Sequence, residues 1–495
     1  MSPFFYAKFN LPALLHLAKQ IRDVSCSCDM SQQPLCGSSN WAVVLTFVDG
    51  VEWIFRCPQM YNDVSIQTAS ELLESEVATM KYIKVNSSIP VPEIFDYSST
   101  SSNPMGIPFI LMSKAPGIAL SKFAWNAEPV NISHRKSLPS LGRTHKEKIM
   151  KQLGLLRARL SKLRFDKIGS LYIEGDEYHI KKCLSPALIW YTRDCLDEVS
   201  RGPFLSTKDF YESMLVTFLL HVKELSLEPH VFFAPLPKAS EFETHSQYRS
   251  AVSRWSDYIT VGNKVDHSSN RLDYCIAEHY LRDMLPSIDV PASTIPSEFA
   301  NGYPLHHPDL SSSNIFVDED FNISCIIDWA FCSTVPMPIL LTTPSLPGPR
   351  DDIDSSSTPF FRSGFEHNTF DEQIWISAQR SWWFSRLVAL DGLRDYHYFT
   401  ELYTSIYKPK DIIDIPRLCK SARDEKMFRG LAAELRMEDC SVGEIAKHEN
   451  DYFRVMKSSG KEAVARKLTL VSELNQGFVA DKRLWRWLDE ALDDN

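Results

Sequence analysis

This chain lacks any apolar run of the roughly 18 residues that a membrane-crossing helix needs, so no membrane span is expected. It also lacks a CxxC pair. Eleven cysteines are scattered along it, and Cys26 and Cys28 are the closest two. An odd number without ligand spacing excludes a disulfide framework or a zinc cluster and points to reduced, buried thiols. Residues 1–24 show no apolar core followed by a small-residue cleavage site, and they are poor in arginine for a mitochondrial presequence. The expectation is a soluble, cytoplasmic protein. Positive charge is in deficit too: 53 Lys plus Arg against 63 Asp plus Glu leave a formal charge of −10. That argues against a nucleic-acid partner, and no membrane partner is expected either. The composition says nothing of oligomeric state.

What the chain does have is length and apolar content. Its 495 residues, 44% of them apolar, can bury a large core and fill two or more lobes. One stretch carries most of the chemical information: His307-Pro308-Asp309-Leu310-Ser311-Ser312-Ser313-Asn314-Ile315-Phe316-Val317, followed by Ile326-Ile327-Asp328-Trp329. An Asp is followed five residues on by an Asn, and a second Asp arrives beyond a short β-forming run. Phosphoryl transfer needs this trio, a carboxylate to orient the attacking hydroxyl and two oxygen ligands for Mg²⁺.

The flanking sequence organises itself around that stretch. Leu11–Arg22 has helical periodicity. Trp41–Val48 and Val51–Cys57 read as strands joined by Asp49-Gly50, with Pro58 ending the second. Thr68–Lys84 reads as a helix whose inward stripe is Leu73, Val77 and Met80. Glu76 falls on the same stripe and therefore needs a cation, for which Arg56 is the nearest candidate. Ile94–Tyr97 and Phe109–Met112 read as further strands. Helical patterns dominate residues 120–301. Residues 342–359, rich in Pro, Ser and Asp, read as a flexible loop, and a helix is expected from Thr369 onward behind a capping-box pattern. The expected organisation is a nucleotide-binding lobe over residues 1–115, a catalytic lobe over 116–390 with a helical substrate-side insertion, and a helical extension over 391–495.

These motifs resemble the aminoglycoside phosphotransferase and choline kinase-like group, relatives of the protein kinases. The segments that carry the resemblance beyond the catalytic stretch are Gly37-Ser38-Ser39-Asn40-Trp41, Trp53-Ile54-Phe55-Arg56, Ser75-Glu76-Val77-Ala78, Ile89-Pro90-Val91-Pro92 and Phe109–Lys114. Ile168-Gly169-Ser170-Leu171-Tyr172 and Arg201-Gly202-Pro203-Phe204 look like segments of the long fungal members. The resemblance implies an α+β, bilobal, protein-kinase-like fold, with a small β-rich lobe and a large, mostly helical one. It implies ATP and Mg²⁺ as cofactors and a small-molecule hydroxyl as acceptor. By the same resemblance Asp309 is the catalytic base, and Asn314 and Asp328 hold the metal. Backbone groups of Ser38, Ser39 and Asn40 cover the phosphates. Arg56, paired to Glu76, contacts phosphate. Ile54 caps adenine, and the main chain of Met112, Ser113 and Lys114 lies along its edge. His307 braces the catalytic loop, and the Trp375, Trp382, Trp383 and Phe384 cluster reads as core.

Three departures shape the expectation. Pro308 stands where protein kinases have the Arg of His-Arg-Asp, and Asp328 is followed by Trp-Ala rather than Phe-Gly. No phosphorylated activation loop is therefore signalled, which favours small-molecule acceptors. Arg56 stands where the family usually has Lys, and Arg is planar and holds two partners at once. A catalytically weak, nucleotide- or partner-binding pseudokinase is the alternative this leaves open.

Overall fold

The computed structural model describes residues 8–37, 39–59, 63–125, 138–238, 241–242, 244–290, 295–296, 299, 301–348, 351–365, 370–408, 414–456, 459–475 and 477–493. They fall into two compact units. One takes in residues 8–125, 138–210 and 295–378, the other 211–290 and 379–493.

In chain order the elements are α1 (Leu11–Arg22), β1 (Cys26–Ser27), β2 (Leu35–Cys36), β3 (Asn40–Phe47), β4 (Glu52–Pro58), α2 (Ile66–Asn86), β5 (Ile94–Ser98), β6 (Phe109–Ser113), β7 (Ile118–Ala119), α3 (Arg143–Leu160), β8 (Arg164–Phe165), β9 (Ser170–Glu174), β10 (Glu177–Lys181), α4 (Pro186–Ile189), α5 (Thr207–Glu224), α6 (His245–Thr260) and α7 (Ser268–Ile288). They continue with β11 (Tyr303–His306), β12 (Ile315–Val317), β13 (Ile323–Ile326), β14 (Ser333–Thr334), α8 (Met337–Leu340), α9 (Thr358–Ser363), α10 (Glu372–Ala389), α11 (Asp395–Tyr407), α12 (Ile415–Arg423), α13 (Lys426–Leu435), α14 (Val442–Met456), α15 (Ser459–Leu474) and α16 (Lys482–Asp493).

The first unit begins with an antiparallel sheet in the order β1-β3-β4-β6-β5, with β2 alongside β3. Alternation along its strands sorts the side chains by face. Trp41, Val43, Leu45, Phe47, Trp53, Phe55, Cys57, Phe109 and Leu111 point one way and join Leu14 and Ala18 of α1 in a single buried cluster. The opposite face therefore receives Ala42, Val44, Ile54, Arg56, Ile110 and Met112. Register fixes who meets whom there: Val44, Ile54 and Met112 lie in one row across three strands, and Ala42, Arg56 and Ile110 in the next. The β3–β4 turn is closed by Gly50 at φ +84°. The strands lie within a residue of the expected bounds, and Pro58 stays paired opposite Asn40.

α2 starts two residues earlier than its pattern suggests, because Ser65 caps it by accepting from the Thr68 N–H. Leu73, Glu76, Val77 and Met80 are all buried, so the stripe read from periodicity is the inward one. The rest of this unit holds α3, small sheets and the 307–329 stretch. β12 pairs with both β13 and β7, and β11 lies between β14 and β8.

Two regions differ from expectation. The span read as helical contains a β-hairpin, β9–β10, turned through Gly175 at φ +62°. Its signal was Glu174-Gly175-Asp176-Glu177 between alternating runs, a tight-turn pair that the surrounding helical patterns masked. Residues 342–359 are not a loose loop throughout: Thr343, Ser345 and Leu346 are buried, and α9 begins at Thr358. Proline-rich composition speaks for non-regular backbone, and here such backbone is packed. The helix expected from Thr369 is described from Glu372, Thr369 itself lying outside the described residues.

The second unit is helical. Trp255 and Tyr258 of α6, Val464 and Leu468 of α15, and Trp485 and Leu488 of α16 share one core cluster. A buried carboxylate, Asp395, accepts from the Tyr274 hydroxyl at 2.6 Å and meets His230 Nδ1 at 2.8 Å through the same oxygen. Among the described residues no helix is long and apolar enough to cross a membrane. The architecture is α+β, a β-rich N-terminal part followed by a largely helical remainder.

Candidate functional site

β11 ends at His306, β12 begins at Ile315, and the loop between them carries Asp309 and Asn314. The His307 side chain is fully buried and sits edge-on to Trp329, with ring centroids 4.6 Å apart. Its Nδ1 accepts the Asp309 N–H at 3.2 Å, and its Nε2 lies 3.1 Å from the Ile327 carbonyl. This pattern requires the neutral Nε2–H tautomer. Burial drives the His307 pKa down to about 3, the Ile327 carbonyl pulling it up and Arg157 pushing it further down. His307 thus ties the residue before Asp328 to the backbone of Asp309.

The Asn314 side chain reaches back across the loop. Its amide nitrogen donates to the Asp309 carboxylate at 3.0 Å and to the Asp309 carbonyl at 3.1 Å, while the Asn314 carbonyl accepts the Ile327 N–H at 3.0 Å. The five-residue spacing makes the first two contacts local. The antiparallel β12–β13 pairing brings Asp328 alongside. Asp328 sits at φ +62°, a left-handed conformation that L side chains adopt at a cost and that concentrates at functional sites. The Pro347 carbonyl accepts the Ser312 N–H at 2.8 Å, so the 342–348 segment braces the same loop.

Arg56 closes the arrangement from the sheet. One guanidinium nitrogen pairs with the Glu76 carboxylate, and the other lies 3.7 Å from Asp328 Oδ1. Arg56 and Glu76 are buried, whereas the Asp328 side chain is about one-third exposed. Burial raises the Glu76 pKa; Arg56 lowers it, Asp328 raises it, and the Trp329 backbone N–H lowers it again. A single Arg is thereby shared between the α2 acid and the carboxylate after β13, which a lysine ammonium, a single point of charge, does less well.

The residues expected on the nucleotide side divide. Ile54 and Met112 are buried cross-strand neighbours on the same face as Arg56. Ser113 and Lys114 are committed to the sheet: the Ser113 N–H donates to Glu93 O at 2.9 Å, and the Lys114 N–H to Glu52 O at 3.4 Å. Lys114 Nζ pairs with Glu52 at 2.6 Å on the surface. Gly37, Ser39 and Asn40 lie in the tight β2–β3 turn, where the Gly37 N–H donates to Asn40 O and the Ser39 carbonyl accepts from Gln59. Ser38 lies outside the described residues. A surface depression of about 540 Å³ is lined by Trp53, Phe95, Ser113 and Lys114; none of Asp309, Asn314 and Asp328 lines it. Of the tryptophan cluster expected in the core, Trp375 and Phe384 are buried, whereas Trp382 and Trp383 are half-buried.

Among the described residues no three His, Cys, Asp or Glu side chains gather as a metal cluster. A site built on one Asn and one Asp has fewer protein ligands than that. Such an oxygen pair suits a hard cation that keeps water and phosphate as its other ligands.

No family model matches the chain. Among curated proteins it is similar to a subtelomeric hrmA-associated cluster protein of Aspergillus fumigatus, 27% identical over 355 residues, which are 64% of this chain and 63% of that one. It is also similar to altered inheritance of mitochondria protein 9, mitochondrial, of Kluyveromyces lactis, at 24% identity over 308 residues, 59% of this chain and 46% of the relative. The matches thus span less than two thirds of these relatives' length. Similar solved structures include an ethanolamine kinase of Plasmodium vivax (12% identity, 85% of this chain and 88% of that one, TM-score 0.36). They also include the macrolide 2'-phosphotransferase MphH of Brachybacterium faecium (11%, 81% and 100%, TM-score 0.33) and a thermostable mutant of aminoglycoside phosphotransferase APH(4)-Ia (12%, 80% and 98%, TM-score 0.38). The chain resembles this phosphotransferase group, and its sequence relatives are fungal. The yeast relatives are named as mitochondrial, which overturns the cytoplasmic expectation. Net charge and the want of an apolar span do not tell one aqueous compartment from another, which is why composition pointed the wrong way.

Proposed function

We propose that the chain transfers the γ-phosphate of ATP to a hydroxyl group of a small molecule. The observation that carries this reading is the convergence of Arg56, Glu76 and Asp328 beside a loop in which Asn314 holds Asp309. Asp309 orients the acceptor hydroxyl and takes its proton. Asn314 spends its amide nitrogen on Asp309, which leaves its oxygen to face a cation beside the Asp328 carboxylate. When bound, Mg²⁺ would neutralise the charge of the phosphates. Arg56, anchored by Glu76, would set its second nitrogen against phosphate and release Asp328 for the metal. Val44, Ile54 and Met112 offer an apolar shelf on the face that carries Arg56, suited to adenine. The main chain just past Lys114 is free of the sheet and suits the base edge. The yeast relatives support placing this chemistry in mitochondria.

The test uses the full chain with Mg·ATP and a panel of amino-alcohols, sugars and aminoglycosides. ATP consumption with one class of acceptor is expected. Asp309→Asn should abolish that turnover and leave nucleotide binding within about threefold, since the removed charge serves the transfer step. Equal turnover in the variant refutes the assignment. The Arg56–Asp328 contact favours a second reading, in which the chain binds nucleotide and transfers poorly because the cation occupies the metal ligand. Binding without turnover on every acceptor selects it.

A further inference from the structure

The two segments that mark the long fungal members, Ile168–Tyr172 and Arg201–Phe204, lie outside the catalytic trio, yet they are bonded to each other and to its neighbourhood. Ile168 and Phe204 exchange two backbone hydrogen bonds of 2.8 Å, and the Cys183 N–H donates to Arg201 O. The Ser170 hydroxyl donates to Cys332 O at 2.9 Å and accepts the Leu184 N–H at 3.0 Å, which ties this region to the chain four residues past Asp328. Gly169 allows the close approach: a Cβ there would stand 2.0 Å from the Lys181 carbonyl.

What the region presses against is α2, the helix that carries Glu76. At its N-terminus, Asp194 Oδ2 accepts the Ser65 N–H at 2.8 Å, and the Thr192 N–H donates to Asp63 O at 2.7 Å. Tyr191 and Thr192 both sit at left-handed φ, 56° and 60°, a strained pair that persists only where the surroundings impose it. Two Arg side chains brace the chain on either side of this pair: Arg193, fully buried, donates to Ala187 O at 2.7 Å, and Arg201 donates to the carbonyls of Arg193 and Leu196. About one and a half turns into the helix, Glu71 pairs with Lys182, the residue just past β10. Toward its C-terminal end, Tyr82 packs on Phe165 and Tyr178 with centroids 5.1 and 5.0 Å away.

We propose that residues 164–204 are a built-in clamp on α2, with Asp194 as a positioning residue that holds the helix N-terminus so that Glu76 faces Arg56 without an external trigger. A carboxylate at a helix N-terminus meets unpaired N–H groups and the positive end of the helix dipole. Burial alone would raise the Asp194 pKa, yet the bonds from Ser65, Thr68 and Cys195 leave it lowered. In protein kinases the corresponding acid–cation pair must be in place for transfer, and activation-loop phosphorylation controls it. This chain shows no signature of such a loop, and the clamp supplies a fixed substitute. The inference rests on the phosphotransfer reading for its consequence, though not for the clamp itself.

The test takes the full-length protein as wild type, Asp194→Ala, Asp194→Asn, Glu76→Gln and the Asp194→Ala/Glu76→Gln double variant. Two readouts are needed: hydrogen exchange of the 66–75 amides, and affinity for Mg²⁺ with the non-hydrolysable ATP analogue AMP-PNP. Asp194→Ala should speed exchange across 66–75 and weaken nucleotide about tenfold, a loss of about 1.4 kcal/mol. Asp194→Asn, which keeps an acceptor for the Ser65 N–H, should restore both to within about threefold. In the Glu76→Gln background Asp194→Ala should weaken nucleotide less than about twofold, because the pair it positions is already broken. Unchanged exchange overturns the clamp. Unchanged affinity, or a full tenfold loss repeated in the Glu76→Gln background, overturns the positioning role. If Asp194→Ala does not fold, Asp194→Ser, whose shorter, uncharged side chain retreats from the Ser65 N–H, takes its place in the same comparison. Wild type that binds no nucleotide overturns the phosphotransfer reading, while the exchange data still decide the clamp.

Discussion

Glu76→Gln tests the arrangement at its most buried point. The carboxylate is 4% exposed and its partner Arg56 is 9% exposed. Removing one member of a buried ion pair ordinarily costs about 3–5 kcal/mol, because the other charge is left uncompensated. Here the cost should be smaller. Arg56 keeps Asp328 3.7 Å from its other nitrogen, and the amide that replaces the carboxylate retains an oxygen that accepts one N–H bond. A loss of about 1–3 kcal/mol is the expectation. The functional consequence is larger than the stability one. Freed from its acid on α2, the guanidinium turns to Asp328, the carboxylate proposed to hold Mg²⁺, and competes with the cation for it. Affinity for Mg·ATP should fall about 10–30-fold, equivalent to about 1.4–2 kcal/mol. It should recover in part as Mg²⁺ is raised. Calorimetric titration at two Mg²⁺ concentrations, beside an unfolding curve without nucleotide, separates the two effects. A variant with wild-type affinity and an unchanged Mg²⁺ dependence would show that Arg56 is not shared in the way the distances suggest.

Two further outcomes follow from named groups. His307 is neutral in the folded protein, with its pKa near 3, and the unfolded chain takes a proton there from the ordinary value of 6.5 downward. Its contribution is therefore complete above pH 6.5 and shrinks as pH falls toward 3, by about 1.4 kcal/mol at pH 5.5. The wild-type unfolding midpoint should drop between pH 7.5 and 5.5 by more than that of His307→Asn, and parallel curves would refute the assignment. Gly169→Ala puts a Cβ 2.0 Å from Lys181 O, so β10 must shift and stability should fall by about 2 kcal/mol or more. Gly175→Ala, with open space and φ +62°, should cost only about 1 kcal/mol of backbone strain, and similar unfolding midpoints for the two variants would contradict the tight packing of the hairpin.

The sequence by itself determined the local pieces. Leu11–Arg22 is a helix with the bounds its periodicity suggests, Ile315–Val317 is a strand, and the Asp309-to-Asn314 spacing makes a loop whose side chain and carboxylate meet. Each is decided within a few residues, where hydrogen bonding and hydrophobic period are written in adjacent positions. The inward place of Glu76 was also legible, because a buried acid breaks an otherwise apolar stripe. Tertiary structure alone decided that Arg56 serves Asp328 as well as Glu76, since their meeting depends on sheet register and on a hairpin far along the chain. It alone decided that Asp194 reaches Ser65 across 129 positions, and that the 342–348 segment packs rather than hangs free. A pairing over such a separation is fixed by loop closure and by burial against the rest of the fold, and neither leaves a periodic trace in the residues concerned.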